Sequence, residues 1–131
     1  MSDCLFCAIV AGDIGSRQVY ADDTAVAFLD IRPWQRGHTL VIPRRHVVSL
    51  VDDPSAWGEV RGAVERVVPL LVDGLGAAGL NVVSSAGAAA GQEVFHFHVH
   101  LVPRYDDAPG LSNLTRGDTT DLDEVLRQIT A

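Results

Sequence analysis

Apolar residues recur along this chain with two periods, and the changes from one period to the other mark out its elements. Trp57, Val60, Val64, Val67, Leu71 and Leu75 return at three- and four-residue steps, which makes one face of a helix apolar. Asp53-Pro54 supplies the start, a capping carboxylate followed by a first-turn proline. Pro69 removes a backbone donor inside the run and predicts a kink or break near Val68, and the helix should stop by Gly79. Elsewhere the pattern is that of strands. Gln18 to Tyr20 and Thr24 to Asp30 flank an Asp22-Asp23 turn, and His38 to Pro43 is rich in β-branched residues. Leu80 to Ser85 and the run from Gly91 to Pro103 follow, joined by the small-residue loop Ala86 to Gly91. A short helix over Asp3 to Ala11 is predicted at the start, with Asp3 as its cap and Gly12 just past its end. After a polar segment, Asp121 and Glu124 are spaced as a capping box for a last helix with Leu122, Val125, Leu126 and Ile129 on one face. These elements predict an α+β fold, an antiparallel sheet of about five strands with one long helix and short terminal helices.

Composition narrows the function more than the fold. At 131 residues the chain is expected to form a single domain over 1–131, with 47% hydrophobic and 21% charged residues as in ordinary globular proteins. A formal charge of −7 argues against a surface that coats nucleic acid, although a local pocket can still hold a small anion. Met1-Ser2-Asp3-Cys4 lacks the basic and apolar start of a signal peptide, and no apolar run approaches the ~20 residues that span a bilayer. A cytoplasmic protein without membrane partners is expected.

The chemistry is concentrated in few residues. His96, His98 and His100 occupy alternate positions between Phe95, Phe97, Val99 and Leu101. In a strand they would line one face at roughly 6.5–7 Å intervals while the apolar set enters a core. The other two histidines, His38 and His46, flank the strand Thr39 to Ile42. Adjacent imidazoles gain nothing from packing alone, since they repel when protonated and need polar partners when buried. Either the row is an open metal site, or one imidazole is a nucleophile whose neighbours bind a phosphoryl group. The only two cysteines form Cys4-Leu5-Phe6-Cys7, a redox pair, half of a zinc site, or incidental.

The run His96-Phe97-His98-Val99-His100-Leu101-Val102, preceded by Gly91-Gln92, resembles the signature of the histidine triad hydrolases and transferases, particularly their Hint branch. Phe28-Leu29-Asp30-Ile31, the block Gly37 to His46, and Cys4-x-x-Cys7-x-Ile9 are similar to further blocks of that family, in its order, so a family core spans about 4–104. The resemblance implies that His98 attacks the α-phosphorus of a purine nucleotide to form a covalent nucleotidyl-imidazole, which water then hydrolyses. It implies phosphate binding by His100 and by the amides of Gly91, Gln92 and Glu93, with His38 as an outlying member of the cluster. Asp30 would bind ribose, and Phe6, Ile9, Ile31 and Leu40 would flank the purine, although each could equally be plain core. It further implies structural zinc held by Cys4, Cys7, His46 and His96, and a homodimer. Ser85 and Glu93 stand where the family often has Asn and Ser, and the tail after Tyr105 lacks the Hint tryptophan that shapes leaving-group preference. The substrate is therefore expected to be a nucleoside phosphoramidate or adenylylated compound. The alternatives are a dinucleoside polyphosphate hydrolase and a zinc-braced nucleotide-binding module with little turnover.

Overall fold

The computed structural model describes residues 3–107, 110 and 121–130; the polar segment predicted after Pro103 lies largely outside them. Five strands form one antiparallel sheet: β1 (Gln18–Ala21), β2 (Ala25–Leu29), β3 (Thr39–Pro43), β4 (Gly79–Val83) and β5 (Val99–Arg104), in the order β1-β2-β3-β5-β4. Three helices accompany it, α1 (Leu5–Ala11), α2 (Trp57–Leu75) and α3 (Leu122–Thr130). The α+β architecture is as expected. Among the described residues no helix is long and apolar enough to cross a membrane.

Strand alternation divides the buried side chains between the two faces of the sheet. Ala25 and Ala27 of β2, Val41 of β3, and Val99 and Leu101 of β5 join Val60, Ala63, Val67 and Leu71 of α2 in one core. Val26, Phe28, Leu40 and Ile42 point the other way and pack against Phe6 and Ile9 of α1. Because Leu40 lies opposite His100 in the β3–β5 register, His100 stands on the α1 face. The sheet thus puts its bulk beneath α2 and its imidazoles beside α1.

Several local expectations change. Cys4, not Asp3, caps α1: its sulfur accepts the Cys7 N–H at 3.4 Å. Pro69 does not break α2, which runs unbroken from Trp57 to Leu75. The proline is exposed, opposite the buried Val67 and Leu71, so its missing donor faces water. Helices on a core bow outward on their solvent side, and a proline there bends the helix in the same sense. The histidine run is not a regular strand throughout. Ladder pairing starts at Val99, because Pro43 has no N–H to offer and its carbonyl instead accepts from His96 Nε2 at 2.9 Å. The Phe97 N–H turns to Val47 O at 2.6 Å. Phe97 still enters the core beneath α2, but Phe95, expected on the same face, is 49% exposed because it lies before the alternation begins.

Gly37 positions the turn into β3. It has φ +86°, which favours glycine, and a Cβ there would displace the end of the Leu75 side chain and press on Pro103. That close approach seats His38 at the sheet with 1% of its surface exposed.

Candidate functional site

Two clusters of titratable groups flank the histidine run, and hydrogen-bond direction sorts their protons. In the first, the Sγ of Cys4 lies 3.4 Å from His96 Nδ1, and the Sγ of Cys7 lies 3.2 Å from His46 Nδ1 and 3.5 Å from His96 Nδ1. The two Nδ1 atoms are 3.3 Å apart. A carbonyl can only accept, so the bond from His96 Nε2 to Pro43 O puts the proton on Nε2 and leaves the Nδ1 lone pair facing the sulfurs. A tetrahedral ion at about 2.05 Å from nitrogen and about 2.3 Å from sulfur requires N···N edges of about 3.3 Å and S···N edges of about 3.5 Å. The cluster matches both edges, and the Pro43 carbonyl is the outer partner that a ligating histidine needs. Cys4, Cys7, His46 and His96 therefore fit a closed zinc site with no position left for a reacting water.

The second cluster contains Asp30, His38 and His100. His38 Nε2 and His100 Nδ1 are 2.8 Å apart, a hydrogen bond and closer than two ligands of one tetrahedral ion stand, at about 3.3 Å. The Trp34 N–H points at His38 Nδ1 from 3.0 Å and can only donate, so Nδ1 accepts. Burial lowers the His38 pKa, against an opposing pull from Asp30, and keeps the ring neutral with its proton on Nε2. That proton is donated to His100 Nδ1. Burial, with His98 and His38 nearby, pushes His100 down to about 4, so it too is neutral and carries its N–H on Nε2. The Asp30 Oδ2 stands 3.7 Å from His38 Nε2, while Oδ1 accepts the Arg32 N–H at 2.8 Å.

His98 lies between the clusters, its ring 4.9 Å from that of His100 and 5.2 Å edge-on from Phe6. Its Nδ1–H donates to the His96 carbonyl at 2.7 Å, which leaves the Nε2 lone pair available for attack. Burial also lowers this pKa, with the His96 carbonyl and Asp30 opposing. A buried neutral imidazole beside an imidazole donor is suited to nucleophilic chemistry at phosphorus.

The remaining candidates separate. Phe6, Ile9 and Leu40 are buried beside the imidazoles, whereas Ile31 is 82% exposed next to Asp30. Gln92 is turned inward: its Oε1 accepts the Gly87 N–H at 2.8 Å, and its Nε2 donates to Val48 O at 2.6 Å and Val94 O at 3.1 Å. Its side chain thus fastens the loop rather than lining it. Gly91, at φ +94°, closes the short 3-10 turn Ala88–Ala90, and Glu93 is exposed. Ser85 is half-buried at the start of that loop. Two residues were missed by sequence reasoning. Ser84 donates through Oγ to the His98 carbonyl at 2.8 Å, and the Trp34 indole stacks on His100 at 4.5 Å and 18°. A large aromatic in a polar loop just before Gly37-His38 was the only cue to the latter.

Comparison with known proteins agrees with this geometry. Residues 11–107 match the model of the HIT domain. An uncharacterized HIT-like protein of Methanocaldococcus jannaschii is 40% identical over 128 residues, 96% of this chain and 98% of that one. The adenylylsulfatase HINT3 of Arabidopsis thaliana is 35% identical over 133 residues, 98% of this chain and 66% of that protein. The crystal structure of a zinc-bound histidine triad family protein from Mycobacterium smegmatis is 41% identical, with a TM-score of 0.75 over 95% of this chain and 88% of that one. With its matched domain, its relatives and its three imidazoles in place, this chain belongs to the HIT domain family, a superfamily of nucleotide hydrolases and transferases.

Proposed function

We propose that the site is that of a Hint-branch nucleotidyl hydrolase, which cleaves at the α-phosphate of purine nucleoside phosphoramidates or related adenylylated substrates. The observation that carries this reading is the His98 ring, whose Nδ1–H is held by the His96 carbonyl at 2.7 Å while Nε2 stays open. In the first step Nε2 forms a bond to the α-phosphorus, and the bond from phosphorus to the leaving amine breaks. The amine departs with its electron pair and takes up a proton from solvent, which the attacking water of the second step returns. The Nδ1–H bond to the carbonyl stabilises the imidazolium as it forms. With its Nδ1 taken by His38, the His100 Nε2–H would donate to a phosphoryl oxygen as charge develops there. In the second step water attacks phosphorus, the P–N bond to His98 breaks, and nucleoside monophosphate leaves with the imidazole regenerated.

In this reading Asp30 receives the ribose hydroxyls, and Phe6, Ile9, Leu40 and the exposed Ile31 form the walls for the purine. Of the amides in the small-residue loop, those of Gly91 and Gln92 are spent within it, on Ala88 O at 3.0 Å and Gly87 O at 3.2 Å. In this reading the Glu93 N–H therefore meets the phosphate, with Ser85 at the other end of the loop. Cys4, Cys7, His46 and His96 would hold zinc, which would fix His96 and hence the carbonyl that orients His98. The chain is read as one domain that works as a homodimer. The Arabidopsis relative, named as an adenylylsulfatase, supports an adenylyl group as the electrophile.

The test is release of AMP from adenosine phosphoramidate. Wild type should turn over at least about 10³ times faster than His98→Ala, the usual scale for loss of a nucleophile. Equal rates for the two proteins would defeat the hydrolase reading.

A further inference from the structure

Trp34 is 57% exposed, yet its ring lies 4.5 Å from that of His100 at 18° and 4.7 Å from that of His38 at 34°. Leaving an indole so open costs hydrophobic free energy that a polar residue in the same loop would avoid. The same residue donates its backbone N–H to His38 Nδ1 at 3.0 Å. One residue therefore sets the first hydrogen bond of the relay and covers the second, between His38 and His100. Its loop is fastened at both ends. The Arg32 N–H bonds Asp30 Oδ1 at 2.8 Å, the His38 N–H bonds Gln35 O at 3.0 Å, and the Tyr105 hydroxyl donates to Arg36 O at 2.9 Å.

An imidazole–imidazole hydrogen bond has no intrinsic direction, because either ring can exchange its N–H for the other tautomer at little cost. Direction comes from the neighbours. The Trp34 backbone N–H, which every side-chain variant keeps, favours an unprotonated His38 Nδ1 without excluding the other order. The indole, stacked on His100 and tilted over His38, lies against the 2.8 Å bond between them, where it would compete with water. Water there would accept from either ring and release the order of the pair.

We propose that Trp34 is a positioning residue whose indole holds the His38–His100 pair in the single tautomer that leaves an N–H on His100 Nε2 for the substrate phosphoryl group. The proposal deepens the reading of His100 as phosphate donor and rests on it. Planarity is the requirement: a flat ring covers both imidazoles, and an aliphatic side chain of similar bulk does not.

The experiment uses zinc-loaded, ¹⁵N-histidine-labelled full-length protein. Imidazole tautomers are read by NMR without substrate, and kcat and KM are measured with adenosine phosphoramidate. In wild type His100 should be Nε2-protonated. Trp34→Ala and Trp34→Leu should mix the two tautomers and lower kcat about tenfold with KM changed less than threefold. Trp34→Phe should restore the wild-type tautomer and bring kcat within about threefold. Trp34→Leu keeps apolar bulk in the loop, so it remains informative if the alanine variant folds poorly. The proposal is overturned if His100 keeps its Nε2–H in Trp34→Leu, or if Trp34→Phe fails to restore it. The tautomer readout needs no turnover, so inactivity of wild type on this substrate would count against the hydrolase reading and leave the relay result standing.

Discussion

Gln92 lies in a Gly-Gln pair that reads from sequence as part of an anion cradle, yet all three hydrogen bonds of its amide are spent on Gly87, Val48 and Val94. Truncating it strands a backbone donor and two carbonyls in a buried setting. Each orphan carries a desolvation penalty of about 1–3 kcal/mol, partly relieved where water can enter. Gln92→Ala should therefore lower the urea-unfolding free energy by about 2 kcal/mol at fixed zinc. A phosphate-binding role predicts the opposite division, unchanged stability with a raised KM, and that outcome would sink the brace assignment. The same residues mark how far the sequence could be read. Strict alternation exposed the His98–His100 face, because side-chain direction in extended chain follows from spacing alone. The Ser84 bond to the His98 carbonyl and the Trp34 stack on His100 are contacts between segments far apart in sequence, and no local period encodes them.

Among the elements, α2 was the most legible, since Val60, Val67 and Leu71, with the partly buried Val64 and Leu75, settle against β2, β3 and β5 as their spacing requires. Trp57, expected on the same face, is nevertheless 39% exposed. The proline in α2 does not break it, because burial as well as propensity decides that outcome. Pro69 is exposed, and the bond it forgoes would have run to the Glu65 carbonyl on the solvent side. That cost remains in the folded protein. Pro69→Ala should restore the bond and raise the unfolding free energy by about 1–3 kcal/mol, less the smaller entropy gain that proline provides by restricting the unfolded chain. Thermal unfolding with zinc present measures it, and a drop in Tm would mean that the helix needs its proline bend to seat on the sheet. The late start of β5 escaped notice for a different reason. The run is apolar and alternating from Phe95 onward, but Pro43 on the neighbouring strand cannot donate, and the His96 side chain takes the carbonyl it offers. A partner strand can thus end a ladder that the strand's own sequence would continue. The α3 pattern was also correct in type, although Leu122, Leu126 and Ile129 remain exposed.

Across the whole molecule, the imidazoles couple folding to protons. Asp30, His38, His98 and Arg104 are the charged or titratable neighbours of the relay, and burial outweighs the single carboxylate among them. The folded chain therefore keeps His100 neutral down to about pH 4, while the unfolded chain protonates it from about 6.5. Between those values the unfolded state binds more protons, so stability rises with pH across the window and is lost as pH falls through it. Above 6.5 neither state takes the proton, below 4 both do, and the contribution is flat on either side. Acid also protonates thiolates and histidines that would ligate zinc, which steepens any raw profile. The difference between two proteins isolates the relay. His100→Asn keeps a hydrogen-bonding side chain without a titrating ring, and its unfolding free energy should fall less between pH 6.5 and 4.5 than that of wild type. The gap in slope should approach, without exceeding, one proton. Matched urea titrations at several pH values, with equal zinc loading checked by elemental analysis, measure that gap. Parallel profiles for the two proteins would mean that His100 is already protonated in the folded state, and the neutral relay through His38 and Trp34 would then be wrong.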